Sequence, residues 1–403
     1  MSTIRVNTLQ NTSTTDGGIS IDNSGHVTVD GVAMPSSGPL SNRNLIINGA
    51  MQVAQRGTSS TANGYGTVDR YKASYSGGTV TQTQTAITSG DPYDEGFRYV
   101  LRLTNTTANT GTSANRVITQ KIEAQNIANS GWNYTSSTSY VTLSFWARAS
   151  VAQTYYVNLK TNDGTSQNYS TSFALSADTW TKVTKTIPGN SNIAFDNNSD
   201  QGFQVHFVVF RGTDSTTSGH TLDAWAAHSG SNIVPDMTNT WANTADATFD
   251  VTGVQLEVGS VATPFEHRSY GDELRRCQRY FQGYNAADAT ARAAISYDNY
   301  DTDTGNDLQA TTLIGAGTVV DGDDARIVLS FPVTMRTRPT VTAVDIRLVT
   351  SNVLQDTTTT VQTNASSIYA LTLLVDNAST MTAGQCCHLI IKGNGSLFFD
   401  AEL

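Results

Sequence analysis

The sequence predicts an all-β protein: a thin N-terminal segment, a jelly-roll β-sandwich, one short helical connector and a smaller C-terminal β-sandwich. Three observations lead there. Apolar residues recur at alternate positions in many short runs, as half-buried strands require. Clusters of Asn, Asp, Gly and Ser separate those runs, such as "TNDGTSQN" (161–168) and "DNNSDQG" (196–202). A single stretch, "GDELRRCQRYFQ" (271–282), breaks the pattern with dense charge and helical spacing.

Residues 1–40 come first, and they are short of large apolar side chains. Small alternations occur around Ile4-Val6, Ile19-Ile21 and Val27-Val29, and the segment ends in "MPSSGP". One copy cannot bury enough surface here to fold, so the segment is either disordered or braided with copies of itself or a docking partner.

Residues 41–268 form the first sandwich. Strands are read from Val141, Leu143, Phe145 and Ala147, from Tyr155, Val157 and Leu159, and from Phe203, Val205, Phe207 and Val209. The alternation slips between Val251 and Val254, with Gly253 at the slip, which predicts a β-bulge. About seven or more such strands without intervening helices imply two antiparallel sheets.

Residues 269–282 form the connector. Ser269 precedes Asp272 in an N-cap arrangement. Leu274, Cys277 and Phe281 then make one apolar stripe on a helix of about three turns, which only tertiary or intersubunit packing can hold. Residues 283–403 return to alternation at Ile327-Leu329-Phe331-Val333, Val344-Ile346-Leu348 and Leu371-Leu373-Val375, with Pro332 and Pro339 marking strand ends.

Composition narrows the function. The chain of 403 residues carries 24 basic and 34 acidic side chains, a net charge of −10. That balance argues against nucleic acid, whose phosphates need clustered Lys and Arg. No run of eighteen apolar residues predicts membrane insertion, and "MSTIRVNTLQNTS" offers no apolar signal core. Only 14% of residues are charged, so hydroxyls and amides must keep the chain soluble, a style of extracellular and virion β-proteins. The cysteines Cys277, Cys386 and Cys387 are odd in number and two are adjacent, so reduced thiols are expected rather than disulfides or a zinc site.

No catalytic constellation emerges. "GYGTVD" (64–69) and "GAGTVV" (315–320) fall short of a dinucleotide fingerprint and read as turns. "DTDTGND" (301–307) opens like a calcium loop but has Asn306 and Thr312 where glycine and a carboxylate are needed, and it reads as a polar surface loop. His206 is out of phase with Val205 and Phe207 and is expected on the opposite sheet surface. Paired carboxylates for glycoside cleavage need only proximity in space. No enzyme activity, catalytic residue, cofactor or metal is expected.

Several stretches carry a family resemblance. "NRNLIINGAMQVAQRG" (42–57) with "VDRY" (68–71) resembles the opening strand of a domain recurring in phage tail-fibre and receptor-binding proteins. "FDVTGVQLEVGSVATPFEHRSYGDELRRCQRYFQ" (249–282) resembles its exit strand and connector, and "MSTIRVNTLQ" and "SLFFDAEL" resemble the two ends of such chains. The first sandwich is also similar to carbohydrate-binding jelly rolls that hold a structural calcium. Gln52 stands where their glutamate ligand would be, and Asp250 matches their aspartate. An amide is the weaker ligand, so Gln52 is expected to hydrogen-bond a loop instead.

The resemblance implies a homotrimeric virion protein, made in the host cytoplasm. It would be attached to other tail proteins through residues 1–40 and would adsorb to host glycan or lipopolysaccharide. The alternatives are a capsid-attached fibre or decoration protein, and a glycan-degrading tailspike enzyme. Trp132, Tyr134, Trp225 and Trp241 stand in loop-like, amide-rich stretches and are candidates for stacking on sugars; otherwise they plug the sandwich ends. Leu274, Cys277 and Phe281 are candidates for a threefold contact; otherwise the stripe packs on its own sandwich.

Overall fold

A computed structural model describes residues 8–10, 18–23, 25–34, 41–285, 311–350, 353–355, 360–376 and 381–403. The alternation at Ile4-Val6 and the acidic stretch 301–307 lie outside the described residues. The chain divides into two compact units, Met1–Glu273 with Leu403, and Leu274–Glu402. Among the described residues no helix is long and apolar enough to cross a membrane.

The first unit opens with an antiparallel meander of β1 (Thr8–Gln10), β2 (Gly18–Ile21), β3 (Val27–Val29) and β4 (Val32–Ala33). Leu9, Ile19, Val29 and Val32 stand directly opposite one another across its strands. One face therefore bears an apolar rung. All four side chains are exposed, Leu9 to 60%.

Two six-stranded sheets follow. Their strands are β5 (Ser59–Ser60), β6 (Tyr71–Ser76), β7 (Thr81–Ala86), β8 (Tyr99–Thr104), β9 (Asn115–Glu123), β10 (Tyr140–Ala149), β11 (Gln153–Thr161), β12 (Gln167–Leu175), β13 (Thr181–Pro188), β14 (Gln201–Arg211), β15 (Trp225–Ala227) and β16 (Thr248–Val258). Sheet I has the order β13-β10-β16-β8-β7-β5, and sheet II the order β15-β12-β11-β14-β9-β6. Single helical turns α1 (Asp91–Asp94), α2 (Ala124–Ala128) and α3 (Thr240–Asn243) interrupt the connections.

The predicted alternations supply the core between the sheets. Every residue named above for β10, β11 and β14 is fully buried in it. Phe145 sets its ring edge-on to Phe173 at 5.3 Å and to Phe207 at 4.9 Å, an arrangement that favours aromatic quadrupoles. The bulge also appears where the slip predicts it. Ser144 pairs with Gln255 and Trp146 with Thr252, so Gly253 and Val254 together face Phe145. Gly253 has φ +62°, and a Cβ there would lie 2.7 Å from the Phe97 ring. Gly253→Ala is expected to cost about 1–3 kcal/mol, from the left-handed backbone and the crowded ring. A lower denaturation midpoint with unchanged m-value would check it.

One sequence expectation changes. Residues 42–57 are not a strand but an irregular run laid along β16, with Leu45 N–H donating to Leu256 O at 2.9 Å and Val254 N–H to Gly49 O at 3.0 Å. The reason is that asparagine side chains take the ladder's place. Asn44 Oδ1 accepts from Ile46 N and Leu256 N, and its amide donates to Val254 O. Asn48, at φ +60°, bonds Val53 N, Val53 O and Asp69 O with its own amide.

Helix α4 (Tyr270–Gln278) straddles the division between the units. Ser269 caps it as expected, its Oγ accepting from Asp272 N at 3.2 Å. Yet the helix is shorter than its sequence stripe. Phe281 lies beyond it, in the next strand.

The second unit contains β17 (Phe281–Asn285), β18 (Thr311–Val319), β19 (Asp324–Ser330), β20 (Thr340–Thr350), β21 (Val353–Gln355), β22 (Thr360–Ser366), β23 (Ala370–Asp376) and β24 (Cys386–Asp400). They join in one sheet, β21-β20-β24-β18-β19-β23-β22, with β17 also paired to β24. Inward residues of β19, β20, β23 and β24 share one apolar cluster, so this sheet folds over on itself. Ile346 and Leu348 enter that cluster, but Val344 does not, because the β20–β24 register shifts between Val344 and Ile346. "GAGTVV" is likewise no turn: residues 315–319 belong to β18. Gly317 allows the neighbouring strand to approach, since a Cβ would sit 1.9 Å from Arg326 O. All three cysteines are free, with Cys277 and Cys387 buried and Cys386 exposed.

Candidate functional site

The aromatic candidates divide. Trp241 is fully buried, its indole N–H donating to Thr248 O at 3.0 Å, and Trp132 is 3% exposed, donating to Ser139 O at 3.3 Å. Neither has a face to offer a sugar, so both are corrected to core residues that close the sandwich. Tyr134 and Trp225 are half-buried. Tyr134 stands edge-on to Phe195 at 4.9 Å, while Trp225 stacks near Tyr169 and donates to Pro188 O at 2.7 Å. The four are not gathered into one platform.

The proposed intersubunit stripe is corrected in the same way. Cys277 is fully buried and Phe281 nearly so within a single chain. Phe281 packs on Phe398 at 5.3 Å in the second unit. Only Leu274 is partly exposed.

The outer face of sheet I is closed around Asp250. Asp250, matched by resemblance to a calcium ligand, is 1% exposed and held by two guanidiniums. Arg102 donates to its oxygens at 2.7 and 2.9 Å, and Arg148 to Oδ2 at 2.8 and 3.2 Å. Both carboxylate oxygens are thus committed to cations. The expected bond from Gln52 to a loop is not found among the described residues; its backbone carbonyl instead accepts from Gln84 Nε2 of strand β7 at 3.1 Å. Ala50, Ile87, Phe97, Val100 and Trp146 cover another part of this face.

Sheet II is different on its outer side. Strand register places whole rungs of polar residues across it. Asn168, Lys160, Gln204 and Lys121 face one another on β12, β11, β14 and β9. The next rung is Ser170, Asn158, His206, Thr119 and, on β6, Lys72. Small residues form the floor and are buried, while Lys72, Lys160 and His206 are half-buried above them.

The floor is tied down from one side. Asn158 bonds Asn168 and, at 3.0 Å, Ser170 Oγ. Ser170 Oγ and Asn168 Nδ2 donate to Ile233 O at 2.6 and 3.2 Å, so the loop carrying Ile233 and Val234 covers Val117, Tyr156 and Val208. His206 Nδ1 lies 2.9 Å from Thr119 Oγ1. The sequence expectation that His206 faces away from the core therefore holds.

Two more basic side chains, Arg211 and His228, complete the face. The β14–β9 register shifts between Val208 and Phe210, and Val209 and Phe210 both enter the core. The bulge thereby returns Arg211 to the outer side. His228 follows β15 and its N–H donates to Ser166 O at 2.8 Å. Burial holds His206 well below the usual imidazole range, reinforced by Arg211, Lys160, His228 and Lys121. Burial likewise pulls Lys160 down, with Arg211 adding, and brings Arg211 to about 10. His228 is lowered by burial and by Lys160 and Arg211.

Sequence reading did not single out Lys72, Lys160, Arg211 or His228. The available signal was parity: Lys160 alternates with the core residues Val157 and Leu159, so a rare cation stands on the non-core side of a strand.

Chemically, such a face can bind hydroxyls through amides and neutralise negative charge. Among the described residues, Asp321, Asp323 and Asp324 bring three carboxylates within 4.8 Å in the second unit. There Asp321 Oδ1 accepts the amides of Asp323 and Asp324 at 3.3 and 2.9 Å, closing its own turn.

No protein-family model and no curated protein matches the chain. Among solved structures it is similar to the enzymatically active domain of tailspike protein 4 from bacteriophage CBA120, at 12% identity over 53% of this chain and TM-score 0.29. This chain spans only 21% of that one. It is similar to a putative sugar binding protein from Bacteroides thetaiotaomicron at 14% identity, covering 53% of this chain and 99% of that one, TM-score 0.30. A family 11 carbohydrate-binding module from Clostridium thermocellum gives 9% identity, 51% and 98% coverage, and TM-score 0.26.

Proposed function

We propose that this protein is an adhesive subunit of a phage tail fibre, binding host-surface glycan through the outer face of sheet II without cleaving it. The observation that carries the binding reading is the set of basic side chains Lys72, Lys160 and His206, half-buried over a floor of amides and hydroxyls on the outer face of sheet II. Saccharides are oriented by a few polar groups placed in this way. The meander at residues 8–33 supports an attachment role: its apolar rung is left uncovered, and another virion tail protein is the partner it would meet. Assembly as a homotrimer would multiply weak sites into avidity.

The test uses the full chain with intact host cells and isolated surface polysaccharide. Saturable cell binding blocked by the free polysaccharide, with no new reducing ends, is expected. Cell binding that the polysaccharide leaves untouched would sink the glycan reading, and released reducing ends would make the protein an enzyme. Sedimentation should give three chains per particle; a monomer would remove the trimer.

A further inference from the structure

Deepening the glycan reading, and resting on it, we infer that the outer face of sheet II is a site for an acidic sugar, binding its carboxylate or sulfate oxygens between Lys160, His206, Arg211 and His228. Strand register supplies the geometry. Lys160 and His206 occupy diagonal positions on adjacent strands, about 7–8 Å apart between Cα atoms. Arg211 reaches the same face through the bulge, and His228 lies beyond the β15 strand that edges it.

The second observation is the missing counter-charge. The chain has 34 acidic residues against 24 basic ones, so partners are abundant, yet among the described residues none of these four has an ion pair. Glu123, further along β9, is fully buried and accepts the Gln125 amide. Arg211 Nε and His228 Nδ1 are buried without an acceptor. Buried donors ordinarily find partners, and the two positive charges of Lys160 and Arg211 on one face cost stability unless something negative joins them. A structural role would have used a carboxylate, as Asp250 does for Arg102 and Arg148. Burial is the first cause of the lowered proton affinity of all four groups, and neighbouring positive charge adds to it for Lys160, His206 and His228.

The ligand is a glycan rather than a nucleic acid because the two polar rungs hold no Phe, Tyr or Trp on which bases could stack, and the chain as a whole is acidic.

Calorimetric titration of the full chain decides it, with four probes: oligogalacturonate, a sulfated galactan oligosaccharide, neutral galacto-oligosaccharide and a single-stranded oligonucleotide. Binding of one or both acidic sugars is expected, weakening as salt rises, and the two arms separate carboxylate from sulfate. Lys160→Gln and Arg211→Gln should each weaken that binding about tenfold, while Lys160→Arg should largely restore it. Should Arg211→Gln fail to fold, Lys160→Gln with its Lys160→Arg counterpart carries the same reading. Neutral sugar binding as tightly as acidic sugar overturns the acidic site while leaving the glycan reading intact. Oligonucleotide binding at this face, unchanged affinity in Lys160→Gln, or no binding to any probe also overturns it.

Discussion

Trp241→Ala is expected to unfold the first unit early while leaving the second in place. The side chain is fully buried, anchored by its indole N–H to Thr248 O and seated in the main core. Its removal loses the burial of a large aromatic and leaves a cavity, at a cost of about 3–5 kcal/mol. The carbonyl of Thr248 loses one of its two donors and keeps the Ser150 N–H. All five tryptophans lie between residues 132 and 241, so intrinsic fluorescence reads the first unit alone. For a unit of this size the midpoint should fall by roughly 6–20 °C. A variant that instead keeps its melting temperature and loses only sugar affinity would return Trp241 to the role of a stacking platform.

Asp250→Ala should cost a similar amount by a different route. The carboxylate is buried, and two half-buried guanidiniums converge on it with four hydrogen bonds. Removing one partner of such a cluster strands the others, at about 3–5 kcal/mol. Arg148 also lies over the Trp180 ring at 4.7 Å, so the loss should disturb that indole. The diagnostic comparison is the triple variant Asp250→Leu, Arg102→Met, Arg148→Met, which removes charge and counter-charge together. It should recover much of the stability, since a buried ion cluster is often replaceable by apolar residues of similar size. Equal loss in both variants would mean that the site depends on something other than charge balance. Addition of calcium should leave the midpoint of the unaltered protein where it was; a rise would show that the ion competes with the arginines.

Much of the fold was legible because burial imposes a period of two. β10, β11, β14 and β23 could be read directly from their apolar parity, and the slip at Gly253 marked a bulge. The failures have local causes. Residues 42–57 carry strand-like apolar spacing, but Asn44 and Asn48 satisfy the backbone themselves. Phe281 extends the helical stripe on paper, whereas β24 offers it a strand partner three residues after the helix ends. Gly315 and Gly317 look like turn residues, and they are glycines because neighbouring side chains and backbone press on them.

The site was far less legible. Trp132 and Trp241 drew attention by their polar neighbours, yet those neighbours are mostly exposed while the two rings turn inward and are buried. Lys160 and His206 are 46 residues apart, 206 − 160, and meet only through the register of β11 on β14. Parity shows that a side chain faces outward. It does not show which outward side chains share a rung, because that follows from pairings no local window contains.

The way residues 42–57 lie on β16 has a mechanical consequence. The two runs are antiparallel, with Leu45 beside Leu256 and Gly49 beside Val254. The chain therefore enters and leaves this sandwich at one end of the same pair. Tension drawn through residues 42 and 258 would load those hydrogen bonds one after another, opening them like a zip rather than shearing them together. The sandwich should consequently yield at its border first, under modest force, while β10, β11 and β14 stay paired.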